Sequence, residues 1–192
     1  MKRQWDTVEL VENFTLLPSE MALLENKSEE NRLGFAVLLK FFQYEARFPR
    51  SKQEVPKLVV SYVAKLLGVS PRLFKKYEWV GRTFERHRAS IREFLGFREF
   101  TVQDGEELTA WLCEKVLPYE RNSSYLESAV YKRLRDLSLE PPTRQRVERL
   151  IRSAVKTTEK KFCASICSQI SIASRKKMDE LLNTKDGLDD DQ

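Results

Sequence analysis

The feature that most constrains the fold is a segment, residues 143–164, in which charged and apolar side chains recur with the period of an α-helix. At about 100° per residue, its basic side chains fall within an arc of about 120°, roughly opposite the apolar ones. The basic set is Arg146, Arg149, Arg152, Lys156 and Lys160, and the apolar set is Val147, Leu150, Ile151, Ala154 and Val155. The segment therefore predicts a helix that packs by one face and exposes a cationic row on the other.

The composition favours helices in the rest of the chain as well. Its 192 residues include only 6 glycines and 7 prolines, and 41% of them are apolar, which is enough to build a core. Most segments between these breakers follow the helical period, and only residues 97–102 fit a strand or an extended link. We therefore predict an all-α fold of two tandem helical modules with helix-turn-helix-like DNA-binding elements.

The first module is predicted to surround a buried helix over residues 32–47, whose first half is apolar on nearly every side. A helix over 57–67, a glycine stop and a Ser-Pro start of a short third helix follow it. This order is typical of a tight helix-turn-helix corner. Lys75 and Lys76 come after the corner and are predicted to clamp DNA phosphates.

A second basic helix is predicted over residues 81–95. Gly81 opens it, Thr83 caps it and Gly96 closes it. His87 falls on the packed side of this helix, so we interpret it as a core or boundary residue. The basic residues predicted to face outward are Arg82, Arg86, Arg88 and Arg92.

The two basic helices share a short pattern, T-x-x-R-x-x-x-x-I-R, which begins at Thr83 and again at Thr143. Two explanations of the repeated pattern stay open. Either it arises by chance from the capping and amphipathic rules that all helices share, or the chain is a tandem of two related DNA-binding modules. On the second interpretation, the first module covers residues 1–100 and the second covers 101–183. Residues 184–192 are then an acidic, disordered tail or linker.

The cationic charge is concentrated in two segments. The whole chain carries +5, whereas residues 72–98 hold eight basic and three acidic side chains, and residues 141–178 hold ten and two. Such segments suit a polyanion, and nucleic acid is the commonest one for a basic helical protein. Two alternatives stay open. In the first, the basic faces are solvated surfaces that keep the chain soluble. In the second, they form a helical protein-interaction module that docks on acidic partner surfaces.

The sequence predicts no catalytic, cofactor or metal site in this chain alone. It has one histidine and neither a P-loop nor a glycine-rich dinucleotide motif, which argues against a self-contained hydrolase or nuclease. The cysteines lack a metal-ligand spacing, and Cys163 and Cys167 are predicted to be buried in a protein of the reducing cytoplasm. No segment matches a signal peptide or a membrane span, so we expect no membrane partner.

Three stretches carry a resemblance to a known family. They are RLGFAVLLKFFQYEARFPRSKQEVP (32–56), GRTFERHRASIREFLGFREFT (81–101) and ERLIRSAVKTTEKKF (148–162), and residues 87–97 are the most specific part. These stretches resemble the N-terminal region of the Tn-three family of replicative transposases, which belong to bacterial transposons. The likeness runs in order across most of the chain.

The resemblance implies one part of a larger enzyme. In that family, the N-terminal region binds the terminal inverted repeats through helical modules, and a later RNase H-like domain cuts and joins DNA with three carboxylates and divalent metal. This chain has neither the strands nor the length for that domain. We therefore expect a non-enzymatic, cofactor-free part of a transposase that binds double-stranded DNA in the bacterial cytoplasm, at the nucleoid, together with the rest of the transposase chain.

The basic residues supply a mechanism for this binding. Arginine and lysine neutralise phosphates, and arginine also reads guanine through a bidentate hydrogen bond. Two linked modules that are each weak alone gain affinity from their effective concentration. The predicted DNA-contacting residues are Lys75, Lys76, Arg82, Arg86, Arg88 and Arg92 in the first module, and Arg146, Arg149, Arg152, Lys156 and Lys160 in the second.

Overall fold

The computed structural model describes residues 4–183, and its regular structure in this range consists of helices and helical turns. An isolated bridge joins Arg98 to Leu139, and no β-strand forms within the described range. Residues 97–101 are an extended link, so the predicted all-α class is confirmed. The predicted acidic tail, residues 184–192, lies outside the described residues.

The chain divides into two compact units, and each is described by itself. The first unit comprises Met1–Phe100 and Tyr131–Pro142, and the second comprises Thr101–Val130 and Thr143–Gln192. The first unit thus takes in a segment that the sequence prediction had grouped with the second module. The assignment of the two modules as separate DNA-binding domains stays a prediction.

The helices follow the predicted order. In the first unit they are α1 (Thr7–Phe14), α2 (Pro18–Ala22), α3 (Glu29–Glu45), α4 (Lys57–Leu66) and α5 (Arg82–Leu95), with 3₁₀ turns at Lys52–Glu54 and Pro71–Lys75. In the second unit they are α6 (Val102–Trp111), a π-helical turn (Leu112–Val116), α8 (Arg144–Gln169) and α9 (Ile172–Asn183). Helix α7 (Ser123–Asp136) begins in the second unit and ends in the first.

Helix α3 forms the centre of the first unit because it is apolar on nearly all sides. Every residue from Leu33 to Phe42 is buried, including Gly34 and Lys40. Helices α1, α4 and α5 and the 3₁₀ turn Pro71–Lys75 pack around it. The predicted central buried helix is confirmed.

A buried ion pair accounts for the charged residue inside this helix. Lys40 Nζ lies 2.7 Å from Glu20 Oε2, and Gln43 Nε2 donates to Glu20 Oε1 at 2.6 Å. Burial raises the pKa of Glu20, but hydrogen bonds from Lys40, the Leu17 amide and Gln43 together bring it below its ordinary value. Glu20 therefore stays ionised and satisfies the buried ammonium group.

His87 belongs to the core of the first unit, as predicted. Its Nδ1 lies 2.8 Å from the hydroxyl of Tyr77, and the two rings are parallel within 2°. Burial, together with the charges of Lys27 and Arg86, lowers the pKa of His87 from 6.5 to about 4. Burial also raises the pKa of Tyr77 above its ordinary value. At neutral pH both partners are uncharged, and His87 is not an exposed base.

This pairing makes the stability of the first unit depend on pH. The pKa of His87 is about 6.5 in the unfolded chain and about 4 in the folded one, so the unfolded chain binds more protons between these values. Lowering the pH from about 7 to about 5 should therefore reduce the free energy of unfolding by about 2 kcal/mol. Urea unfolding at each pH measures this loss. The His87→Gln variant should lack it, and an equal loss in that variant would assign the pH dependence to other groups.

The two ends of α5 show what the sequence predicted and what it did not. Its N-cap is Gly81, at φ 88°, and no side chain caps the helix, so the prediction of Thr83 as the cap is wrong. A positive φ favours glycine, which lets the chain turn into the helix before Thr83 is reached. Gly96 closes the helix at φ 70°, as predicted.

In the second unit, α8 packs on α6 and on the π-helical turn. Its buried residues are Val147, Ile151 and Ala154, which belong to the predicted apolar face. Thr143 caps the helix by accepting a hydrogen bond from the Arg146 amide. The helix is longer than predicted and ends at Gln169.

The second half of α8 is open to solvent. Every residue from 159 to 169 is exposed, and this range includes Cys163 and Cys167. The prediction that these two cysteines are buried is wrong, because the packing on α6 and the π-helical turn involves the first half of the helix. Cys113 is half-buried, and its Sγ lies 3.5 Å from the carbonyl oxygen of Ala154.

Candidate nucleic-acid interface

The candidate interface of the second unit is a row of exposed cationic side chains on α8. We call Arg149, Arg152, Lys156 and Lys160 the α8 row, and all of them are exposed. No carboxylate within residues 4–183 forms an ion pair with the row. The nearby Glu148 accepts a hydrogen bond from Arg144 instead, at 3.0 Å. The charge of the row is therefore uncompensated within the described residues.

The packing of α8 explains why these side chains face solvent together. The helix buries Val147, Ile151 and Ala154 on one side, so residues on the other side have no neighbouring element to cover them. An amphipathic helix fixed by its apolar face holds such cations on a rigid support. A rigid, one-sided cationic row can neutralise the phosphates of a nucleic-acid backbone.

Arg146 differs from the other predicted contacts on α8. It is half-buried, and its Nη2 lies 3.4 Å from the carbonyl oxygen of Thr101, the N-cap residue of α6. The guanidinium group therefore interacts with the start of α6 as well as extending the basic side of α8.

Four of the predicted contacts in the first unit are exposed. They are Lys75, Lys76, Arg82 and Arg86. No ion pair with a carboxylate forms at these four positions within the part of the chain that the structure describes. Arg72 is also exposed and lies in the same 3₁₀ turn as Lys75, just before Lys76. The sequence prediction omitted it, although its position after the Ser-Pro start was the available signal.

Arg88 and Arg92 have a different environment from the other arginines of α5. Arg88 Nη2 lies 2.5 Å from Glu140 Oε1, and Arg92 Nη1 lies 2.7 Å from Glu140 Oε2. Arg92 Nη2 is also 2.5 Å from Glu99 Oε1. Arg92 is buried and Arg88 is half-buried, so the prediction that both face outward is wrong. A carboxylate distant in sequence turns them toward residues 137–142.

The guanidinium group of Arg88 is held further by aromatic rings. Its Cζ lies 5.0 Å from the ring centre of Phe48 and 5.7 Å from that of Phe84. Burial lowers the pKa of Arg88, but Glu140 and Glu85 bring it above its ordinary value. Arg88 is therefore a fixed, paired charge, in contrast to the α8 row.

Two kinds of group that often serve in catalysis, metal-ligand clusters and histidine, can be located in the described residues. Among residues 4–183, no three histidine, cysteine, aspartate or glutamate side chains come close enough to hold a metal ion. His87 is enclosed by Tyr77 and Phe35 and is not available to a substrate. None of the helices in this range is both long enough and apolar enough to cross a membrane.

Comparisons with known proteins show which family the chain belongs to. The sequence profile described as "Domain of unknown function (DUF4158)" matches residues 1–154. The chain is also similar to the transposase for transposon Tn3926 of Escherichia coli, with 24% identity over 180 residues, and to the transposase for transposon Tn501 of Pseudomonas aeruginosa, with 25% identity over 180 residues. Each match covers 93% of this chain and 18% of the relative.

A third relative is matched over a similar share of its length. The transposase for transposon Tn1546 of Enterococcus faecium is 24% identical over 173 residues, which is 90% of this chain and 17% of that protein. The chain thus spans less than a fifth of the length of these curated relatives. The resemblance to transposases of the Tn-three family, expected from the sequence, is confirmed.

Proposed function

The chain belongs to the DUF4158 family and is similar to transposases, and on this premise we propose that it binds the double-stranded DNA of transposon terminal inverted repeats. The observation that carries the proposal is the α8 row, which is exposed and has no carboxylate partner within residues 4–183. Arg149, Arg152 and Lys156 lie on the packed half of α8, which gives these three cations a fixed spacing. A duplex presents phosphates at regular intervals to such a surface.

In this proposal the lysines and the arginines have different roles. Lys156 and Lys160 neutralise phosphates, and so do Lys75 and Lys76 in the first unit. Arg149 and Arg152 have planar guanidinium groups that suit either a phosphate or the O6 and N7 atoms of guanine. Phosphate contacts supply affinity and register, and the base contacts supply the sequence preference.

We assign only DNA binding to this chain. The cutting and joining of DNA, with its divalent metal, is proposed to belong to other parts of a transposase of the relatives' length. The rest of that transposase is accordingly a proposed partner. Arg82 and Arg86 are proposed as further contacts of the first unit, and Arg146 as a contact that is also bonded to Thr101.

The test is fluorescence anisotropy with two labelled duplexes, one carrying a terminal inverted repeat and one with the same bases scrambled. We expect tighter binding to the repeat, with affinity falling steeply between about 50 and 200 mM salt. The slope of log affinity against log salt should be several units, since each neutralised phosphate contributes about 0.9. Equal affinity for the two duplexes would contradict sequence-specific recognition. A slope near zero would contradict the phosphate contacts.

A second candidate function is docking on another protein. It is favoured by Phe162 and Ile166, which are 57% and 42% exposed on the same helix as the α8 row. Exposed apolar residues next to cations suit an acidic partner surface. A pull-down that survives nuclease treatment, combined with no shift of a labelled duplex, would favour this function over DNA binding.

A further inference from the structure

Glu140 joins two arginines of α5, Arg88 and Arg92, which the basic pattern of the sequence had assigned to DNA. We infer that Glu140 determines the selectivity of the first unit, because it withholds Arg88 and Arg92 from the phosphates of unrelated DNA. This inference rests on the proposed function. It names a residue that the basic pattern of the sequence did not indicate.

The geometry shows that both carboxylate oxygens of Glu140 are engaged. Oε1 lies 2.5 Å from Arg88 Nη2, and Oε2 lies 2.7 Å from Arg92 Nη1. The side chain of Glu140 is 12% exposed, and those of Arg88 and Arg92 are 26% and 10% exposed. Charge-assisted hydrogen bonds of this length are strong, and burial protects them from screening by salt. Phosphates therefore compete poorly for these two guanidinium groups.

The backbone fixes Glu140 beside the end of α5. The Glu140 amide donates to the carbonyl oxygen of Arg98 at 2.9 Å, and the Arg98 amide donates to Ser138 at 3.0 Å. These bonds fix the backbone of Glu140 independently of the side chains of Arg88 and Arg92. Glu140 thus acts as a positioning residue for the two guanidinium groups.

The charge balance indicates what this positioning does. Arg88 and Arg92 are paired with three carboxylates, Glu85, Glu99 and Glu140, so neither arginine carries an uncompensated positive charge. Binding to unrelated DNA depends almost entirely on phosphate neutralisation, whereas specific binding also depends on base contacts. Non-specific binding can use any cation that reaches a phosphate in any register, whereas base contacts fix the register of specific binding. Withholding two cations therefore weakens unrelated binding more than binding to the repeat. It therefore raises the ratio of specific to non-specific affinity.

The experiment compares the wild-type chain with the Glu140→Gln variant on the scrambled duplex and on the repeat duplex. Glutamine keeps the size of the side chain but removes the charge that restrains the arginines. We expect the variant to bind the scrambled duplex about 3- to 10-fold more tightly, with a salt slope steeper by about one unit. Its ratio of repeat to scrambled affinity should fall.

The matched control is Glu25→Gln, which makes the same change in net charge. Glu25 is exposed and forms no ion pair within the described residues. This control should leave the salt slope nearly unchanged. In the Glu140→Gln background, adding Arg88→Gln should reverse most of the gain on the scrambled duplex. Arg88→Gln alone should leave the slope of the wild-type chain unchanged, and this arm tests the inference even if Glu140→Gln fails to fold.

The outcomes separate this inference from the proposed function. If the wild-type chain binds neither duplex, both fail. If the wild-type chain binds with a steep slope but Glu140→Gln folds and leaves slope and selectivity unchanged, only the inference is overturned. A shallower slope in Arg88→Gln alone would also overturn it, because Arg88 would then contact phosphate directly.

Discussion

Replacing all four residues of the α8 row by glutamine is expected to lower the affinity for a repeat-bearing duplex by about 100-fold at moderate salt. Each lost cation leaves one phosphate with its condensed counterions, so the slope of log affinity against log salt should become shallower by about three to four units. The buried face of α8, formed by Val147, Ile151 and Ala154, is unchanged, so the helix keeps its packing. Anisotropy titrations between about 50 and 200 mM salt measure both quantities.

A second quadruple variant separates the position of the charges from their number. It removes four other exposed cations, which lie outside the two basic segments of the sequence: Arg50, Lys57, Lys65 and Arg121. This control should lower the affinity only a few-fold, because salt screens the attraction between the duplex and cations that lie away from it. Equal losses in the two quadruple variants would contradict the α8 row as an interface.

The basic face of α8 could be predicted because local periodicity alone determines it. Once Val147, Ile151 and Ala154 are assigned to the packed side, the helical period places Arg149, Arg152 and Lys156 opposite them. The same reasoning correctly placed His87 in the core of the first unit.

The environment of Arg88 and Arg92 could not be predicted in this way. Their partner Glu140 is about fifty residues away in sequence, and only the folded first unit brings it to α5. Periodicity states which face of a helix a residue occupies, but not which charged group from another segment reaches that face. Residues 87–97 are the most specific part of the family resemblance, and in this range His87 and Arg92 are buried. That part of the pattern therefore includes residues of the packed structure.

The two exposed cysteines illustrate a second limit. A spacing of four residues places Cys163 and Cys167 on one helical face, and small apolar residues are often buried. Whether the face is covered depends on how far the neighbouring elements extend along α8. The buried residues of α8 end at Ala154, before the cysteines are reached. This limit is set by the neighbouring elements and not by the sequence around Cys163 and Cys167, so local reasoning could not predict their exposure.

The Gly34→Ala variant is expected to destabilise the first unit by about 3 kcal/mol, which would lower its melting temperature by roughly 10 to 20 °C. A Cβ atom at this position would lie 2.6 Å from Cδ1 of Tyr77 and even nearer to Cγ and Cδ2. The ring cannot move aside easily, because Tyr77 is 1% exposed and its hydroxyl is bonded to His87 at 2.8 Å. Thermal unfolding followed by circular dichroism measures the loss.

The sign of this effect distinguishes steric overlap from helix propensity. Alanine is favoured over glycine inside a helix by about 1 kcal/mol, so without the overlap Gly34→Ala would stabilise α3. In a Tyr77→Ala background the Cγ and Cδ atoms that the new Cβ would overlap are absent, and the added methyl group should then be neutral or stabilising. A double-mutant cycle gives the coupling between the two positions directly. If Gly34→Ala alone stabilised the chain, Tyr77 would not pack against α3 as described, and the neighbouring His87 would lose the burial that lowers its pKa.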